Sequence, residues 1–160
     1  MVDESEGIIA ISGLVQMHES DRPKIRATLE RLFRGFALRD ADLLDDVYCV
    51  DADWINAFGS TKKGGAQIVE YLRGLFADQN FTDGQLVAGP VCSLRRLGAD
   101  DVLVHAHLQI AGQSLLGGGA ITLRDNHSIR VVSRQADGAW RIVAEMFMDV
   151  RPDRSYVNHS

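Results

Sequence analysis

Over residues 102–111 the side chains alternate without a break. Val102, Val104, Ala106, Leu108 and Ile110 fall on one face, and Leu103, His105, His107 and Gln109 on the other. A period of two is the signature of a strand with one face on a core. A second alternating run, residues 140–149, sets Trp140, Ile142, Ala144, Met146 and Met148 on one face and Arg141, Val143, Glu145, Phe147 and Asp149 on the other. Asp137-Gly138 just ahead of it is a hairpin signal, because Gly tolerates the backbone such turns require. Shorter strands are expected over 82–87, 91–97, 120–123 and 129–135, with a glycine loop at 117–119.

The first half of the chain reads as helix. Ser20 or Asp21 opens a helix with Pro23 in its first turn, where a missing N–H is harmless. Ile25, Leu29, Leu32, Phe33 and Phe36 form its apolar stripe, and its six basic residues, Arg22 to Arg39, form a solvated face. A second helix is expected after Asp40 or Asp42, carrying Leu43, Leu44, Val47 and Tyr48 at helical spacing. Residues 54–58 follow as a strand that sets Trp54, Asn56 and Phe58 on one face. A third helix is expected over 65–77, burying Ile68, Leu72, Leu75 and Phe76. Gly64-Gly65 lacks the Lys-Ser/Thr ending of a phosphate-binding loop and reads as a plain helix start. Helices first and strands after is an α+β order.

At 160 residues the chain suits one domain. We expect an N-terminal extension over residues 1–20, the domain over 21–150 and a tail over 151–160. A net charge of -5 with no basic run argues against a nucleic-acid partner. The apolar stretch 8–17 follows Asp3, Glu4 and Glu6 rather than a positive start, and is too short to span a bilayer. A cytoplasmic protein with no membrane partner is expected, with Cys49 and Cys92 as reduced thiols.

The helix ending at Asp40, the run DADWINAFG over 51–59, Gly64-Gly65 and DGAWRIVA over 137–144 together carry a resemblance. The chain resembles the NTF2-like superfamily from about Pro23 to Asp149, and within it ketosteroid isomerase and the SnoaL-like proteins found near antibiotic-biosynthesis genes. The resemblance implies a cone-shaped, cystatin-like α+β fold: three N-terminal helices on a curved, mostly antiparallel sheet, enclosing a cavity. It implies a homodimer and a small hydrophobic, polyketide-like ligand, with a role in secondary-metabolite biosynthesis.

Seven residues are expected at the ligand site: Trp54, Asn56, Phe58, His105, His107, Met146 and Met148. Where ketosteroid isomerases place a proton-shuttling carboxylate, this chain aligns Asn56, and their tyrosine donor falls at Leu32. An amide cannot shuttle a proton at neutral pH, so Asn56 is expected to point into the cone as a hydrogen-bonding anchor. Asp149 and Glu145 are the counterparts available for the acidic base of SnoaL-type cyclases. His105 and His107 can chelate a metal only with a third ligand. Glu145 and Asp149 are conceivable, but no spacing identifies one, so no metal and no cofactor are expected. Both histidines lying on a polar sheet face or dimer surface is the reading preferred over a metal, and a histidine acting as general base is a third. Three functions stay open: an acid–base enzyme acting in the cone, a non-catalytic binding or dimerisation module, and an isomerase-like enzyme with a rearranged site. Apolar residues on both faces of the last strand point to a homodimer through the outer sheet face.

Overall fold

The computed structural model describes residues 9–114 and 123–151. The expected glycine loop at 117–119, residues 120–122 of the strand expected there, the first eight residues and the tail beyond 151 lie outside the described residues. Helix α1 spans Arg22–Leu38 and buries Ile25, Leu29, Leu32 and Phe33, as its apolar stripe requires. Helix α2, Gly65–Phe76, buries Ile68, Leu72 and Phe76. A one-turn helix α3 covers Gln79–Thr82.

The expected middle helix does not form. Asp40 does cap, accepting from the Asp42 backbone N–H, but the result is only a 3-10 turn over Ala41–Leu44. Asp46 then adopts φ 66°, outside helical space. The chain enters strand β2 at Tyr48, where the aromatic and β-branched residues Tyr48 and Val50 fit an extended backbone. The apolar spacing that looked helical is a turn residue, Leu44, followed by the start of a strand.

One seven-stranded sheet carries these helices. Its strands are β1 Ala10–Ser12, β2 Tyr48–Ile55, β3 Thr61–Lys63, β4 Gln85–Arg96, β5 Asp101–Ala111, β6 Arg124–Arg134 and β7 Trp140–Asp149. They run in the order β1-β4-β5-β6-β7-β2-β3, with β1 parallel to β4 and β2 parallel to β7. The other pairs are antiparallel. The two strands expected over 82–97 are one long strand with irregular register between Leu86 and Val91. Asp137-Gly138 sits in the β6–β7 turn, with Gly138 at φ 83°.

The bulge between β6 and β7 decides which side chains face inward. Val131 pairs with Ala144 while Val132 pairs with Ile142, so Val143 has no partner. An unpaired residue shifts the side-chain alternation by one. Trp140 and Ile142 are buried toward the helices, and beyond the bulge the inward set becomes Glu145, Phe147 and Asp149. Met146 and Met148 turn outward, 44% and 63% exposed. The expected uninterrupted face from Trp140 to Met148 is corrected accordingly.

Candidate functional site: a cone cavity with a buried arginine

A cavity of about 350 Å³ lies between α1, α3 and the inner face of β4 to β7. Phe33, Phe36, Phe81, Leu108, Ile110 and Phe147 supply its apolar wall. Its polar wall comes mainly from one strand: Arg124, Asn126, Ser128 and Arg130 alternate inward along β6. Among the described residues, no carboxylate and no histidine lines it.

Arg130 is held by a buried network. Its Nε donates to Glu145 Oε2 at 2.7 Å and its Nη2 to Ser128 Oγ at 2.6 Å. Glu145 Oε1 accepts from Tyr48 OH at 2.5 Å and from Trp54 Nε1 at 3.0 Å. Both charged side chains are 0% exposed, and the guanidinium lies 5.3 Å from the Phe33 ring centre. Burial, then the Glu145 charge, pushes the Tyr48 hydroxyl well above its ordinary value, so it remains a donor. One donor is left over: Arg130 Nη1 has no hydrogen-bond partner among the described residues.

The second candidate acid is also committed. Arg124 grips Asp149 through Nε at 3.0 Å and Nη2 at 3.2 Å, and Asn126 Nδ2 donates to the same carboxylate at 2.9 Å. The buried Cys92 thiol is pushed up to about 11, so it stays protonated. A second depression, about 520 Å³, lies beside α2 and carries Asp45, Asp46, Glu70, Arg73 and Arg141. Both of its arginines are already engaged, by Asp42 and Asp137. It lacks the aromatic wall that shapes the cone cavity.

An uncharacterised protein of cystatin-like fold from Caulobacter vibrioides superposes with a TM-score of 0.71 at 18% identity, covering 83% of this chain and 92% of that one. A ketosteroid isomerase-like protein from Erwinia carotovora atroseptica gives 0.61 at 12% identity, covering 84% and 100%. The fold is NTF2-like. An NTF2-like superfamily protein from Salmonella enterica serovar Typhimurium gives 0.61 at 16% identity, covering 86% and 95%. No family model and no curated protein matches the chain by sequence.

Within this NTF2-like cone, none of the seven expected site residues lines the cavity. Trp54 is buried behind it, 5.6 Å from the Phe147 ring, and serves Glu145. Asn56 does not share an inward face with Trp54 and Phe58, because β2 ends at Ile55. Its Oδ1 accepts from the Phe58 and Ser60 backbone N–H groups, each at 2.9 Å, and its Nδ2 donates to Tyr71 OH. That is a turn brace of the kind Asn favours. Phe58 is 68% exposed, over the Arg124 guanidinium at 5.9 Å. His105, His107, Met146 and Met148 occupy the outer face of the sheet. Reading the sequence missed Arg130 and its β6 companions. Residues 124–128 are polar at every position, so no alternation marked an inward face, and strand was expected there only from 129.

Proposed function

We propose that the cone binds a small, largely apolar molecule bearing an acceptor oxygen, and that the protein holds this ligand rather than moving its protons. The observation that carries the reading is Arg130 Nη1, a donor without a partner on a residue of the cavity wall. A buried donor left unpaired costs on the order of 1–3 kcal/mol, and more when charged. A ligand carbonyl, phenolate or carboxylate oxygen recovers that cost where the wall parts to let it reach the guanidinium, whose side chain is 0% exposed before binding. The apolar wall supplies the remaining affinity, as in most small-molecule sites. Binding is favoured over acid–base catalysis because Glu145 and Asp149 are both tied into ion pairs. An aryl ketone of polyketide type combines the flat apolar body and the acceptor that this wall accommodates, which fits a carrier or accessory role in secondary-metabolite biosynthesis.

The test is titration of the protein with 1-tetralone and with tetralin, the same bicycle without its carbonyl, followed by Trp fluorescence. The expected result is saturable binding of the ketone, at least about tenfold tighter than the hydrocarbon, the worth of one hydrogen bond to a charged group. Leu108→Trp, which fills the cavity, should abolish both. Equal affinities, or binding unchanged in Leu108→Trp, contradict the proposal.

The outer sheet face supports a second assignment, pairing of two copies. Ile129, Met146 and Met148 are each more than two-fifths exposed on the neighbouring strands β6 and β7, with Ile129 paired to Met146, and exposed Val91 lies two strands away on β4, across β5. Apolar side chains grouped this way mark an interaction surface.

A further inference from the structure

Three of the five histidines of the chain meet at one point on the outer sheet face. His105 and His107 stand two residues apart on β5, and Asp125 and His127 two residues apart on β6. In the sheet register His107 is directly opposite His127, and Gln109 is opposite Asp125. His107 Nε2 contacts Asp125 Oδ1, and His105 Nε2 lies 2.9 Å from His127 Nδ1. The His107 and His127 rings stack at 4.3 Å. One donor atom from each of His107, Asp125 and His127 falls within a 4.8 Å span.

From this arrangement we infer a binding site for a zinc-class divalent cation, with His107, His127 and Asp125 as ligands and His105 as the positioning residue. The third ligand that spacing along β5 does not reveal is supplied by the neighbouring strand. Two imidazoles and a carboxylate are a donor set suited to Zn²⁺ or Co²⁺ rather than to Mg²⁺ or Ca²⁺, which prefer all-oxygen cages. Ligand bonds of about 2.0–2.2 Å need the overall span narrowed and the direct contact between His107 and Asp125 opened to admit the ion. Small rotations of exposed side chains supply that motion, while the paired strands hold the Cβ positions fixed. His105 acts as an outer-shell partner: its bond to His127 Nδ1 leaves Nε2 of that ring for the metal. Three ligands leave a tetrahedral ion one open position, directed away from the sheet toward the face where a second copy would pair, since His107 is opposite Val91 and His127 opposite Met148.

The experiment uses the full chain stripped with chelator and titrated with Zn²⁺ by calorimetry, with Co²⁺ absorption as a second readout. One equivalent of Zn²⁺ should bind, and Co²⁺ should give the intense visible bands of a tetrahedral site. His105→Gln should weaken binding by about 10–100-fold, the usual cost of losing an outer-shell partner. His127→Gln and Asp125→Asn should weaken it further, while the double variant His18→Gln/His159→Gln should bind like the wild type. These are side chains of an exposed face, so folding is checked independently by circular dichroism. Absence of stoichiometric binding, or wild-type affinity in His127→Gln, overturns the inference. Loss of binding in the His18/His159 variant overturns it as well.

Discussion

At the scale of single residues, Glu145 organises the interior. It accepts from Tyr48, Trp54 and Arg130 at once, and among the described residues its charge is balanced by Arg130. Removing the Tyr48 hydroxyl deprives a buried carboxylate of its 2.5 Å partner. Tyr48→Phe should therefore lower stability by about 1.5–3 kcal/mol at pH 7, measured by urea unfolding. The pH dependence has a fixed sign. The folded hydroxyl is raised above its ordinary value of 10.0, so its contribution is complete below pH 10 and is lost as pH rises toward the folded value. The gap between wild type and Tyr48→Phe should close above pH 10. A gap that widens there contradicts the burial of Tyr48 against Glu145.

Elements show a different division between what a chain reveals locally and what pairing decides. Helix α1 is readable from its stripe, α2 from Gly64-Gly65 and its apolar spacing, and β5 from its alternation, because each signal lies within the element itself. The inward face of β7 is not readable. Val143 becomes a bulge only through the register against Val131 and Val132, and nothing in its own neighbourhood marks it. That one residue moves Met146 and Met148 outside and Glu145 and Phe147 inside, which is why the expected site residues and the observed wall differ. The helix expected after Asp40 fails for a related reason, since four apolar positions fit both a turn entering a strand and a short helix. Gly64 shows a local requirement that does hold. At φ 86° it brings α2 against β2, and a Cβ there would lie 2.8 Å from the Val50 carbonyl oxygen. Gly64→Ala should cost more than about 1 kcal/mol. Gly74→Ala, in α2 with nothing within 4 Å of a new Cβ, should instead stabilise by about 0.4–1 kcal/mol. Thermal melts of both variants check the contrast, and equal shifts would contradict the close approach of α2 to β2.

For the whole molecule, the sheet separates two surfaces with different work: the inner one closes a cavity with α1 and α3, and the outer one presents Val91, Ile129, Met146 and Met148. Among the described residues no helix is long and apolar enough to cross a membrane. A homodimer through the outer face is expected at micromolar concentration in sedimentation, and Met148→Asp should give a monomer with an unchanged far-ultraviolet spectrum. A monomeric wild type would count against it. The central claim, however, rests on the inner surface and on one nitrogen atom. It is tested most directly by a crystal structure of the protein grown with 1-tetralone. The account predicts the bicycle packed against Phe36 and Phe147, with its carbonyl oxygen about 3 Å from Arg130 Nη1. A ketone bound elsewhere, or one in the cone with its oxygen turned away from Arg130, would contradict it.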